Sequence, residues 1–340
     1  MKSRTITKTL LCLATLAVLL FVFILLDLSW AANRVLSIGE VWDALTGNGT
    51  WGTNIIVMEN NLPRIAFGIF VGAGLAVTGA SMQALFRNPL ADPYILGLSS
   101  GASLGSTLAI LLGGALIPLS IMQPVFAFIG CFLTMVLVYA ISRSTGTVRT
   151  ETLVLAGVAV AALISAIVSF LTYIAPDEKL GSIVFWSMGS LGSVDWDEMV
   201  LPIALIIIGT VVITLQGKNL NAMMLGDAHA MDLGVDVRRV RLALLVVSSL
   251  VVASCVAFVG TIGFIGLVIP HILRMVLGPD NRIIVPLSAV GGATLIIICD
   301  YFSHIVSIYY GVLPIGVVTA LIGAPFFIYL LVTKRKEVGW

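Results

Sequence analysis

Residues 82–106 read MQALFRNPLADPYILGLSSGASLGS, and they interrupt a chain that is otherwise strongly apolar. Pro89 and Pro93 forbid a continuous helix through this stretch. Asn88 can satisfy free backbone groups at the end of the preceding helix, and Asp92 can cap the next one. Gly97, Gly101 and Gly105 then recur every four residues, among Ser99, Ser100, Ser103 and Ser106. Glycines at that spacing share a helix face and let another helix approach closely. In apolar surroundings, irregular backbone is tolerated only where protein or a water-filled cavity encloses it. The stretch therefore reads as a turn between two membrane helices. The second helix suits close packing, the lining of a central path, or both.

Composition supports a membrane setting. The 340 residues are 59% hydrophobic and 10% charged, with a mean hydropathy of +1.12. A soluble domain carries about 25% charged residues. Cys12, Cys131, Cys255 and Cys299 all lie in apolar runs without a CxxC pair, so they read as small packing residues. The apolar run 10–26 is longer than the ~7–15 residues of a signal-peptide core, and reads as a first membrane helix.

Ten spans are expected, at 9–29, 62–85, 93–112, 121–141, 152–173, 199–216, 240–262, 268–278, 284–306 and 314–333. The fold class is an all-α membrane bundle, and residues 1–340 form one transmembrane domain. The eighth span is short and borrows from GTIGFIGLVIP, a run whose glycines and proline make it tightly turned or re-entrant. With the N-terminus inside, only Arg34, Arg64 and Lys179 of the 18 basic residues fall outside. The positive-inside rule then puts both termini in the cytoplasm.

A bundle of this kind is a transporter, a channel or an intramembrane enzyme. Asp27, Asp300 and His304 are the ionisable groups nearest a span interior, and no partner stands at a working spacing in the sequence. Asp300 is expected to cap or bind a helix end. His229, His271 and His304 form no HxxxH or HExxH motif, so metal catalysis is not expected. There is no GxxxxGK[ST] phosphate loop, so ATP, if used, is bound by another chain. A channel is disfavoured by the lack of charged rings.

Two further patterns stand out. AVTGASMQALFRNP has Ala76, Gly79 and Pro89, and AFVGTIGFIGLVIP has Ala257, Gly260 and Pro270, with the same spacings. The two segments run in opposite directions in the expected topology, as an inverted repeat would. The long inside loop, about 216–241, begins QGKNLNAMMLGDAHAMDLGVDVRR. Two short helices joined at a glycine there would present an apolar knob, drawn from Leu220, Met223, Met224, Leu225, Met231 and Leu233. Exposed apolar surface of that kind suggests a docking site for a soluble partner.

GASMQALFRNPLADPYILGLSSGAS, LAGVAV, LGDAHAMDLGV, GFIGLVIPHILRM and LPIGVVTALIGAPFFIYLL, in this order along essentially the whole chain, resemble the FecCD permeases of type II ABC importers. Members of that family carry ferric siderophores, haem and cobalamin. The resemblance implies a ten-helix BtuC-type fold with inverted-repeat character, and a pair of permeases, a homodimer here, enclosing a path. It implies two ATPase subunits beneath, holding ATP and Mg, and an extracytoplasmic substrate-binding protein above. The chain itself would need no cofactor, catalyse no reaction, bind no nucleic acid, and sit in a prokaryotic inner membrane.

The resemblance also implies site residues. ATPase coupling falls on Leu220, Leu225, Gly226, Ala230, Leu233 and Gly234. The cytoplasmic gate falls on Asn88, Leu90, Thr150 and Glu151. Gly97, Ser100, Gly101 and Gly105 line or pack the path. Binding-protein docking falls on Arg64 of NLPRI, with Asn61 and His304 at positions where relatives carry further arginines. Those two departures weaken the electrostatic docking picture. Cargo is expected to be a ferric siderophore or haem, with a corrinoid as the alternative, and an ion-coupled secondary carrier is the rival of another class.

Overall fold

A computed structural model describes residues 2–31, 34–113, 117–144, 150–192 and 194–333. The chain begins with α1 (Lys2–Leu28), followed by a two-residue antiparallel pair, β1 (Trp30–Ala31) and β2 (Arg34–Val35). Next come α2 (Ile38–Leu45), α3 (Trp51–Asn54) and, through a wider π-type winding over Ile55–Asn61, α4 (Leu62–Leu85). Then follow α5 (Leu98–Leu112), α6 (Leu119–Ser144), α7 (Thr150–Tyr173), α8 (Asp177–Met188) and α9 (Trp196–Leu215). The last third holds α10 (Gly217–Met224), α11 (Asp227–Asp232), α12 (Val237–Val259), α13 (Ile265–Leu277), α14 (Asn281–Tyr310) and α15 (Ile315–Thr333).

Among the described residues, seven helices are long and apolar enough to cross a membrane, and α5, α13 and α15 add three shorter apolar helices. The ten expected spans map onto these ten. α8 was not expected. It is too short and too polar at its start to register as a span, yet Pro176 with Asp177 and Glu178 in the first turn is a helix-start signature.

α4 is the central post. It, α12 and α14 bury two thirds or more of their most apolar stretch, whereas the corresponding stretch of α1 has no buried residue. Lipid offers apolar helices no hydrophobic reason to associate, so close backbone approach and dispersion must hold them. α4 meets α14 at Gly72 and Gly292, where a Cβ on either would overlap the other's carbonyl. α5 meets α6 in the same way, with Gly101 against Gly130 and Gly105 against the Phe126 carbonyl.

The inverted repeat takes a different register from the one the sequence echo suggests. Gly79 lies inside α4 while Gly260 ends α12, and Pro89 lies in a turn while Pro270 lies inside α13. The element pattern instead matches α4–α5–α6–α7 to α12–α13–α14–α15, in each of which the second helix is much shorter than the first and third. Both short helices are entered through a left-handed residue, Gly97 at φ 75° and Phe264 at φ 69°. Gly97 is therefore the cap of α5 and not a member of a helical glycine stripe. Its role follows from conformation, since glycine alone adopts that region without steric cost.

The two breaks clasp each other. Asn88 Oδ1 accepts from the Leu90 amide at 2.9 Å, and Asp92 Oδ1 accepts from the Tyr94 amide at 2.8 Å. The Tyr94 hydroxyl donates to the Ile262 carbonyl at 3.1 Å, and Gln83 Nε2 donates to the Leu267 carbonyl at 3.1 Å.

The α5–α6 contact makes a direct prediction. Gly105→Leu should push the helices apart and lower stability by about 1–3 kcal/mol or more, as overpacking does. Thermal unfolding in detergent would show it, and an unchanged midpoint would mean that the contact is looser than drawn.

Candidate functional site

The candidate residues fall in four regions. The first is a groove on one flank of the bundle. Its wall is made of hydroxyls: Ser99, Ser100 and Ser103 of α5, Ser165 and Ser169 of α7, Ser187 of α8, and Thr261. The cavity there measures about 470 Å³. A second cavity of about 460 Å³ shares Ser187, Thr261 and Gly263 with it and extends the groove to Gly316, Val317, Ala320 and Leu321 of α15. The helix spacing explains which residues face it. Ser99, Ser100 and Ser103 turn toward the groove, while Gly101 and Gly105 turn toward α6. The groove offers rotatable donor–acceptor groups next to aliphatic carbon. Tyr94 also lines it, with its hydroxyl engaged by the Ile262 carbonyl.

The second region is the turn 86–92 with the start of α7. Asn88 and Leu90 are half-buried, and Arg87 adopts a left-handed φ of 51°. Thr150 is half-buried and Glu151 exposed at the first turn of α7. α7 seats against the turn's downstream end, where a Cβ on Gly157 would overlap the Ile95 carbonyl.

The third region is the loop 216–236, which does form two short helices joined at a glycine. Gly226 links α10 to α11 at φ 110°, and Gly234 follows α11 at φ 83°. The apolar residues divide. Leu225, Met231 and Leu233 are exposed, whereas Leu220, Met223 and Ala230 are fully buried against the bundle. The knob is thus smaller than the sequence suggests, because half of its apolar residues anchor the loop. α10 is tied down by Asn221, which donates to Asp280 Oδ1 and accepts from the Asn281 amide, both at 2.7 Å. Arg282, bonded by side chain and backbone, and then Asn221 hold the Asp280 carboxyl down at about 2. Asp280 therefore stays charged at any physiological pH. Its contribution is present above the usual carboxylate range and lost as pH falls toward about 2.

At the opposite end of the bundle lies a cluster that the sequence did not reveal. Arg64, in the first turn of α4, is 7% exposed. Its Nη2 lies 3.1 Å from Asp27 Oδ1 near the end of α1, and its Nη1 lies 3.1 Å from Asp300 Oδ2 of α14. His304 Nδ1 sits 2.8 Å from the Asp300 carbonyl, and both ring nitrogens lie beside Arg64 Nη1. The buried Asn61 amide donates to the Trp30 carbonyl at 2.8 Å.

The family comparison can now be set beside this geometry. The model of the FecCD transport family matches residues 19–333. The chain belongs to the FecCD transport family. Relatives include the hemin transport system permease protein HmuU of Yersinia pestis, 39% identical over 95% of this chain and 96% of that one. The cobalamin import system permease protein BtuC of Halobacterium salinarum is 40% identical over 84% of this chain and 74% of its own length. The vitamin B12 import system permease protein BtuC of Vibrio cholerae is 38% identical over 89% and 90%. A solved inward-facing structure assigned to the metal-chelate type of ABC transporters superposes with a TM-score of 0.81, at 32% identity, over 94% of this chain and 98% of that one. Its fold is the BtuC-type bundle expected from the motifs.

Arg64, expected at the docking face of this FecCD chain, is 7% exposed and held by two carboxylates from other helices. Two expectations need correction. Asp300 does not cap a helix end, since it lies within α14 and faces Arg64. Asp27, Asp300 and His304 are not without partners, since tertiary packing gathers them within 4.8 Å of one another. Asn61 donates to the Leu28 and Trp30 carbonyls inside the chain.

Removing one partner from a buried ion network leaves uncompensated charge. Arg64→Met should therefore cost about 3–5 kcal/mol, and Asp27→Asn with Asp300→Asn in the same chain should recover most of it. Unfolding of purified protein in detergent would measure both. Full stability in Arg64→Met alone would contradict the network.

Proposed function

We propose that this chain is the translocating half of an ATP-driven importer whose cargo is a metal chelate, a ferric siderophore or haem, handed over by a binding protein. The hydroxyl-lined groove carries the reading. It runs from α5 and α7 to α15 along one open flank. A path needs a second wall, and a second copy of the chain supplies it by symmetry. Serine and threonine hydroxyls exchange hydrogen bonds with donors and acceptors alike, so a bulky cargo shedding water can slide without being trapped. Apart from Tyr94, whose hydroxyl is engaged by the Ile262 carbonyl, and Met188, the lining side chains are alcohols and aliphatics, which compete weakly with a chelator for its metal. The relatives' names, spanning hemin, cobalamin and metal-chelate transport, favour cargo of this size and type.

In this reading the 216–236 loop and the 86–92 turn face the cytoplasm, with both termini, and the Arg64 end faces outward. Leu225, Met231 and Leu233 dock the ATPase, and Asn88, Leu90, Thr150 and Glu151 form the inner gate. The ion-coupled carrier is disfavoured by the place of the Arg64–Asp27–Asp300 network, the buried carboxylate network seen among the described residues. It lies at the ends of α1 and α4, whereas coupling sites of such carriers lie near the membrane midplane.

The test is reconstitution with the ATPase and binding protein in liposomes, offering haemin, a ferric trihydroxamate and cyanocobalamin in turn. ATP should drive uptake of an iron chelate, and Leu225→Asp with Leu233→Asp should weaken ATPase association roughly tenfold or more. Uptake driven by a proton gradient alone would refute the proposal, and preferential uptake of cyanocobalamin would move the cargo to the corrinoids.

A further inference from the structure

A push on the 216–236 loop has to reach the 86–92 turn if it is to move a gate. The two helices of the loop are held in different ways. α10 is fixed through Asn221 to the turn before α14, where Asn281 also accepts from Arg274 at 2.9 Å. α11 is held by the buried Ala230 and by the carboxylate of its first residue, Asp227. Oδ2 of Asp227 accepts from Arg241 of α12 at 2.8 Å, and Oδ1 lies 3.6 Å from Nη2 of Arg87. Arg241 is buried, so it fixes the carboxylate from behind, while Arg87 and Asp227 are partly exposed.

Gly226 stands between the fixed helix and the tethered one. At φ 110° it adopts a conformation that side chains resist. A Cβ there would meet only the tips of Arg87 and His229, at 3.5 and 3.8 Å, so packing does not clamp this joint. At the other end, Arg87 is itself left-handed, one residue before Asn88, whose side chain holds the Leu90 amide. A non-glycine residue keeps that conformation only where its surroundings hold it there.

We propose that Asp227 is a strut between the ATPase-facing helix and the inner gate. α11 pivots at Gly226 against the fixed α10, and Asp227 carries the displacement through Arg87 into the Asn88–Leu90 turn. Arg241 is a positioning residue that aims the carboxylate. This inference rests on the importer reading above. An exposed ion pair adds little to stability, so its loss should alter coupling and leave the fold intact.

The experiment uses the full assembly in liposomes, with Leu90→Cys as a gate reporter. Accessibility of that cysteine to an impermeant maleimide, with and without ATP, reads the gate. Import per ATP hydrolysed reads coupling, using whichever of haemin, ferric trihydroxamate or cyanocobalamin the unmodified assembly imports fastest. Asp227→Asn and Arg87→Gln should each cut that ratio roughly fivefold or more and flatten the ATP-dependent labelling change. The double variant should be no worse than either single, and Arg87→Lys, which keeps a cation, should recover at least roughly half the ratio. Thermal unfolding should stay unchanged. Additive losses, single variants that label and import like the parent, or an Arg87→Lys as poor as Arg87→Gln would overturn the strut. An unmodified assembly that imports none of the three probes with ATP would overturn the importer reading, and the strut with it.

Discussion

A backbone passing through hydrocarbon has no water to bond with, so each break in a membrane helix must find its partners inside the protein. That constraint organises this molecule. The chain breaks twice before a short helix, at 86–97 and at 260–264, and the breaks sit against each other. The Tyr94 hydroxyl of the first closes the Ile262 carbonyl of the second. Gln83, just before the first break, reaches the first turn of α13. Neither break would be stable alone. Together they let two short helices start inside the bundle, and the groove opens along the flank that those starts define.

The same economy governs charge. The described part of α4 carries a single cation, Arg64, and it faces carboxylates of α1 and α14 instead of solvent. At the other end of the bundle, Asp227 lies between the partly exposed Arg87 and the buried Arg241. A buried network fixes three helices in place, because separating its members would strand a charge. A partly exposed one holds without locking, because water screens what it loses.

Much of this was legible in the chain. Hydrophobic length located ten helices, and the limits of α4 agree with the expected 62–85. Proline placed the first turn, and Asn88 and Asp92 bond the backbone as their side-chain chemistry suggests. Gly226 joined two short helices as expected. The failures share a cause. Gly97 looked like part of a helical stripe because spacing says nothing of φ. Leu220 and Ala230 looked like a docking surface because an apolar residue in a loop can face either way. The echo at Ala76 and Ala257 matched letters in a register that the helices do not share.

The sequence by itself determined the solvent of this protein, the number and order of its ten apolar helices, and the places where they must break. These are local properties, fixed by apolar length, proline and glycine within a few turns of chain. Only tertiary structure decided which charges meet. Arg64 lies 37 residues from Asp27 and 240 from His304 along the chain, and no local pattern links positions so far apart. Their meeting depends on how closely α1, α4 and α14 approach, and glycine contacts such as Gly72 with Gly292 set that approach. Packing, and no local pattern, gave Arg64 its internal partners.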